Sequence, residues 1–270
     1  MTINSNNSLN KKHVSVYNYS ETSRKVKAEN QDCAISFYDE SISSGLILVC
    51  DGLGGYIGAQ EAAGTVANQF NTDLNVEFLT KLKTIDTAVI FNFVCNYVTE
   101  ILVKARERLK QLHSEENAKR TANSKTIIPS THPICGFCTT ISFCILSGNM
   151  VYYSWVGDSR VYLIRKGRVK CLTVDHSEGV NPEDFNELEM LLTGKKMSKS
   201  ISPFADDEFI TIDINEIHSI ELEDGDVILC ASDGIFDYLL PWILESVLVK
   251  TLAFGFSVEE YVKKVFYQIR

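Results

Sequence analysis

The chain has 270 residues, 45% of them hydrophobic, which is enough to bury the core of one domain. Its formal charge of -9, with no clustering of Lys or Arg, excludes a broad surface for a nucleic-acid backbone. No window approaches the length of a membrane span and the N-terminus lacks a signal peptide's apolar run, so a soluble, cytoplasmic protein with no membrane partner is expected.

Residues 1–12 are polar and have too little apolar side chain to offset the entropy of ordering, which predicts a disordered tail before a single domain over 13–270. The β-branched and aromatic content of VSVYNY, CAISFYD and GLILVCD predicts three early strands. Apolar residues at helical spacing predict helices from Ala59 to Phe70 and from Thr87 to Leu112. The polar stretch from His113 to Pro133 reads as an exposed connection. TTISFCILSGN, MVYYSWVGDSRVYLIRKGRVKCLTV, EFITIDINEI and GDVILCASDG then predict an antiparallel meander and a return strand. Helical periodicity reappears over Pro182–Leu192, Pro241–Phe254 and Ser257–Ile269. Strands and helices in separate blocks argue for an α+β fold of antiparallel sheets covered by helices, not for alternating parallel units.

Of eight cysteines, six lie singly in apolar stretches and read as reduced core residues. Cys135 and Cys138 have CxxC spacing, but no second pair with ligand spacing follows, so neither a zinc nor a redox site is expected.

Four aspartates stand where chemistry is plausible. LILVCDGLGG delivers Asp51 to the end of an apolar strand, where glycines let backbone approach a cation or a phosphate. VILCASDGIFD repeats the design at Asp233 and Gly234. Asp158 occupies a tight turn in WVGDSRVY, and Asp32 begins a strand in AENQDCAI. Each alone also reads as an ordinary turn aspartate; two strands ending in Asp-Gly make a converging pair at one sheet edge the stronger pattern.

In this order, NQD at Asn30–Asp32, DGLGG at Asp51–Gly55, GFCTT at Gly136–Thr140, GDSR at Gly157–Arg160, DHS at Asp175–Ser177 and SDGIFD at Ser232–Asp237 resemble the signature set of the metal-dependent, 2C-type protein serine/threonine phosphatases, compact bacterial members above all. The resemblance implies a sandwich of two antiparallel β-sheets flanked by α-helices with a binuclear Mn²⁺ or Mg²⁺ site at one edge. It implies that Asp51 bridges two metals, that the Gly52 carbonyl binds one and Asp233 the other, and that Asp32 reaches a metal directly or through water. Asp158 would belong to a third, loosely held ion. Asp51 and Asp233 are then the catalytic carboxylates, and the reaction is hydrolysis of phosphoserine and phosphothreonine on proteins by a metal-activated water. Phosphorylated proteins are the expected partners and a monomer the expected state.

The sequence departs from the pattern in four places. Lys27 stands where relatives have an arginine for the substrate phosphate, which keeps the charge and loses the bidentate fork. Gln31 replaces an acidic residue, and Leu53 replaces the histidine of many eukaryotic members. The Asp-Asn motif expected some forty residues beyond SDG does not occur up to Arg270, which implies looser metal binding and an incomplete C-terminal end of the fold. These departures motivate an alternative, a weak or inactive relative acting as a binding module; a phosphatase for a small metabolite is a third class. His176 is expected to be structural. Glu178 to Pro203 falls where the family carries a flap, and its Lys195, Lys196 and Lys199 read as a solvated charged loop.

Overall fold

The computed structural model describes residues 14–21, 29–130, 135–178, 196–197, 199–204, 212, 214–237, 239, 241–253 and 257–268. The expected tail, Lys27, Lys195 and the expected helix over Pro182–Leu192 lie outside these residues.

The strands are β1 (Asp32–Asp39), β2 (Ser44–Asp51), β3 (Ile141–Ser147), β4 (Met150–Val156), β5 (Arg160–Arg165), β6 (Arg168–Cys171), β7 (Ser177–Glu178), β8 (Lys196–Met197), β9 (His218–Glu221) and β10 (Val227–Ala231). The helices are α1 (Ala59–Asp73), α2 (Val76–Leu82), α3 (Ile90–Ala122), the single turn α4 (Asp233–Phe236), α5 (Pro241–Ala253) and α6 (Val258–Gln268). All strand pairs are antiparallel. Five strands in the order β1-β2-β3-β4-β9 form one sheet, β10-β5-β6 form a second, and β7-β8 make a short ribbon.

Alternation along the strands sorts their side chains into layers. In β3, Ile141, Phe143 and Ile145 join the core beneath α1, α2 and α3, while Cys144 and Leu146 face the other sheet. In β10, Ile228 and Cys230 face the first sheet, whereas Val227, Leu229 and Ala231 pack beneath α5 and α6 with Leu244, Val247, Tyr261 and Val265. Both faces of each sheet are thus covered, giving four layers: helices, sheet, sheet, helices. The expected sandwich of two antiparallel sheets is observed.

Three expectations are corrected. VSVYNY forms no strand; residues 14–20 run beside β1 without ladder pairing, tied by the Asn18 side chain to the Ala34 carbonyl at 2.7 Å. The polar stretch after Leu112 is not an exposed connection from its start, because α3 continues to Ala122. His113 is buried there at 3% exposure, with Nε2 at 3.2 Å from the Pro129 carbonyl, and charged pairs such as Arg120 with Glu116 line the solvent side. A short helix, α2, also forms between the two expected ones, started by Asn75, whose side-chain oxygen accepts from the Phe78 N–H.

Candidate active site

Antiparallel register places Asp32, first residue of β1, directly opposite Asp51, last residue of β2. Asp233 reaches them from the second sheet, at the head of α4 just beyond β10. The Asp51 carboxyl shares hydrogen bonds with both Asp32 and Asp233. Burial first, then the charges of Asp32 and Asp233, push it up to about 10. Asp32 is likewise raised by burial, and the Ser232 hydroxyl donates to its Oδ2 at 3.3 Å.

Backbone contacts fix this cluster. The Asp51 carbonyl accepts from the Thr140 N–H and the Thr139 hydroxyl, both at 2.8 Å, and its own N–H donates to Thr140 Oγ1 at 3.2 Å. The Thr140 hydroxyl lies 2.7 Å from that of Ser159, so GFCTT joins DGLGG to GDSR. Gly52 N–H donates to the Gln31 carbonyl. A Cβ on Gly52 would fall 2.3 Å from the Ala59 carbonyl oxygen, so α1 can start this close to the loop only above a glycine.

Three further motif residues form a cluster of their own. Arg160 of GDSR meets Asp175 of DHS at two points, Nε to Oδ1 and Nη2 to Oδ2, both 2.8 Å. Its guanidinium carbon stacks 3.9 Å from the ring centroid of Phe236 in SDGIFD. No sequence spacing links these three; their shared presence in motifs was the only available signal. Asp158 is buried at 7% exposure in the turn between β4 and β5, and Asp32 and Asp233, not Asp158, are the carboxylates that hydrogen-bond Asp51. His176 is held by backbone on both sides: its Nδ1 accepts the Gly157 N–H at 3.1 Å and its own N–H donates to the Gly157 carbonyl. Burial, then the charge of Lys199, keep its ring below its usual pKa, in the neutral form that accepting at Nδ1 requires. Lys199 is ion-paired to Glu216 at 2.9 Å and is not the freely solvated charge expected of the flap.

Cys135 and Cys138 are free thiols with Sγ atoms 3.7 Å apart. Hydrogen bonding from Cys138 brings the Cys135 thiol down to about 7, while that same bond and burial push Cys138 up.

Among the described residues no three His, Cys, Asp or Glu side chains stand ready-spaced around a cation; Asp32 and Asp233 instead each hydrogen-bond Asp51. The donor chemistry nevertheless fits a hard divalent ion. Three carboxyls, all oxygen donors and two of them raised by burial, crowd together at a cost that a dication would offset, and no thiol is among them.

Asp32, Asp51 and Asp233 thus lie together at one edge of a four-layer sandwich. The sequence profile described as "Protein phosphatase 2C" matches residues 21–264. The chain belongs to the protein phosphatase 2C family, and the enzyme expected from its motifs is a member of that class. It is 27% identical over 218 residues to the protein phosphatase PhpP of Streptococcus pneumoniae, covering 77% of this chain and 74% of that protein. Its fold is similar to a bacterial serine phosphatase (TM-score 0.67, 21% identity, 93% of this chain and 89% of that one). It is also similar to serine/threonine phosphatase Stp1 from Staphylococcus aureus (TM-score 0.60, 19% identity, 93% and 87%). Among the described residues no helix is long and apolar enough to cross a membrane.

Proposed function

We propose that this chain hydrolyses phosphoserine and phosphothreonine in cytoplasmic proteins, acting as a monomer with two Mn²⁺ or Mg²⁺ ions. The observation that carries this reading is the meeting of Asp32, Asp51 and Asp233, brought from two sheets to one edge by hydrogen bonds to Asp51. Asp51, Asp233, Asp32 and the Gly52 carbonyl would hold the two ions and Asp158 a looser third, and Lys27 would supply positive charge for the substrate phosphate. Bound there, the ions neutralise phosphoryl charge and make a water acidic enough to attack phosphorus at neutral pH.

The chain's own part is to hold its carboxylates in place. Thr139 and Thr140 pin the Asp51 main chain, and Ser232 orients Asp32 through Oδ2. Such fixed, buried carboxylates need no reorganisation when charge develops on the phosphoryl group. Water adds to phosphorus, the bond to the serine or threonine oxygen breaks, and that oxygen leaves with a proton. The names of the matched relatives support protein substrates.

The test offers purified protein a phosphothreonine peptide with Mn²⁺. Phosphate release that requires the metal is expected; folded protein that releases none above the buffer blank overturns the reading.

A further inference from the structure

Cys135 and Cys138 enclose Gly136 and Phe137, both of which have positive φ, 68° and 51°. That conformation is open to glycine and unfavourable for a side chain as bulky as phenylalanine. It reverses the chain so that the two thiols meet. Their Sγ atoms, 3.7 Å apart, lie 3.3 Å and 3.2 Å from the same Gly136 carbonyl oxygen. The reversed segment is seated on the loop between Asp51 and α1. Phe137 N–H donates to the Ile57 carbonyl at 2.7 Å, and Leu53 N–H donates to the Cys138 carbonyl at 2.9 Å. The Phe137 ring lies against Gly58, where an added Cβ would fall 2.3 Å from it. Thr139, next after Cys138, donates its hydroxyl to the Asp51 carbonyl and pairs with Gly52 in a β-bridge.

We propose that a hydroperoxide oxidises Cys135 and Cys138 to a reversible disulfide, and that this bond lowers turnover by shifting the loop that carries Asp51 and Gly52. The effect on turnover rests on the catalytic reading; the bond itself does not. This reverses the expectation from spacing alone, because the backbone turn, and not a second pair of cysteines, brings the sulfurs together. A disulfide holds its sulfurs about 2.05 Å apart, so from 3.7 Å the pair draws together by roughly 1.6 Å. Both side chains sit in packed interior at 0% exposure, so closure draws on the main chain of residues 136–138. The Leu53 and Ile57 contacts pass the shift to the aspartate loop.

Cys135 is the attacking sulfur, since its thiol, with Cys138 as hydrogen-bond donor, ionises at about 7. Its thiolate attacks one oxygen of the hydroperoxide, the O–O bond breaks, and the other oxygen takes a proton and leaves as water or an alcohol. Cys138 then attacks the sulfenic sulfur, the S–O bond breaks, and water leaves with the Cys138 proton. The two thiols lose two electrons and the hydroperoxide gains them. A dithiol reverses the change by exchange. Because both sulfurs are covered, the oxidant is a molecule as small as a hydroperoxide, reaching them through local opening.

The test treats the reduced full chain with hydrogen peroxide, removes the excess with catalase, and follows peptide mass maps, hydrogen exchange and phosphothreonine-peptide turnover with Mn²⁺. A link between Cys135 and Cys138, seen as the loss of two hydrogens, is expected, with altered exchange at the Leu53 and Phe137 amides. Turnover should fall at least about tenfold and return with dithiothreitol. Cys135→Ser should keep its turnover through the same treatment, with circular dichroism showing an intact fold; Cys138→Ala serves if that variant does not fold, and the mass map needs no variant. Cys144 and Cys230, whose sulfurs are equally close, should remain thiols, because burial pushes the Cys144 thiol up. The inference is overturned if peroxide leaves Cys135 and Cys138 as thiols, or if their link forms while exchange and turnover stay unchanged. It is equally overturned if the folded Cys135→Ser chain loses activity as readily, which would place the sensitive group elsewhere, at Cys33 or Cys50 beside the aspartates. Should the reduced chain release no phosphate, the catalytic reading fails, and the link and the exchange alone decide this inference.

Discussion

Asp32 and Asp51 are cross-strand partners, two carboxylates directly opposite each other where β1 begins and β2 ends. Keeping both carboxyls there opposes folding, first because burial penalises their charged forms and then because each charge repels the other, so that Asp51 is pushed up to about 10. Asp51→Asn should therefore stabilise the metal-free chain, by up to about 1 kcal/mol, while phosphatase activity falls at least about tenfold. Thermal melting without metal, set beside phosphopeptide turnover with saturating Mn²⁺, checks both halves; activity retained near the starting level would remove Asp51 from the centre.

The buried pair of Arg160 and Asp175 behaves in the opposite sense. Their side chains are 12% and 8% exposed, so removing one charge strands the other away from water. Asp175→Asn is expected to cost roughly 3 kcal/mol, seen as a lower denaturation midpoint. A variant as stable as the starting chain would show that solvent already reaches the guanidinium.

Gly52→Ala tests how closely α1 approaches the Asp51 loop. The added carbon would meet the Ala59 carbonyl oxygen at 2.3 Å and that of Gln31 at 2.9 Å, both main-chain atoms with little room to yield. A loss of about 1–3 kcal/mol is expected from overpacking, together with reduced turnover because the same shift moves Asp51. Normal stability and turnover would mean the loop relaxes freely.

A pH dependence follows from Asp226, whose side chain is 2% exposed. Burial alone would raise its carboxyl, but the Arg165 guanidinium, 2.6 Å from Oδ2, and the Glu223 N–H hold it below the ordinary 3.8. A depressed folded value contributes stability that is present above pH 3.8 and lost as acid takes the pH down through that lower value. Denaturation midpoints of the starting chain and Asp226→Asn should accordingly differ most near neutrality and converge in strong acid. A constant difference at every pH would assign the effect to packing.

Much of the site was legible because strand ends announce themselves: apolar runs closing on Asp-Gly identify Asp51 and Asp233 without any structure. The opposition of Asp32 and Asp51 needed the register of the hairpin, which no pattern in the sequence specifies. Arg160, Asp175 and Phe236 meet only after the meander closes, so their partnership was invisible while their motifs were not. The helix α3 outran its expected end because its later residues are charged and hold together through surface pairs and the buried His113, where an apolar period fades. Residues 14–19 have strand-like composition yet lack a ladder, since side-chain chemistry marks extended backbone and not its pairing.

The two halves of the aspartate cluster belong to different sheets: Asp32 and Asp51 ride on the five-stranded one, Asp233 on the end of β10. What separates those sheets is an interior of aliphatic side chains and Tyr153, with Cys144 touching Cys230 at 3.7 Å between Sγ atoms. The cluster is therefore a caliper whose jaws are mounted on two plates, and its opening is set by the filling between them. Swapping a methyl group deep in that filling alters the gap at the rim without touching a single carboxylate, so evolution or an engineer can retune this centre from inside the sandwich.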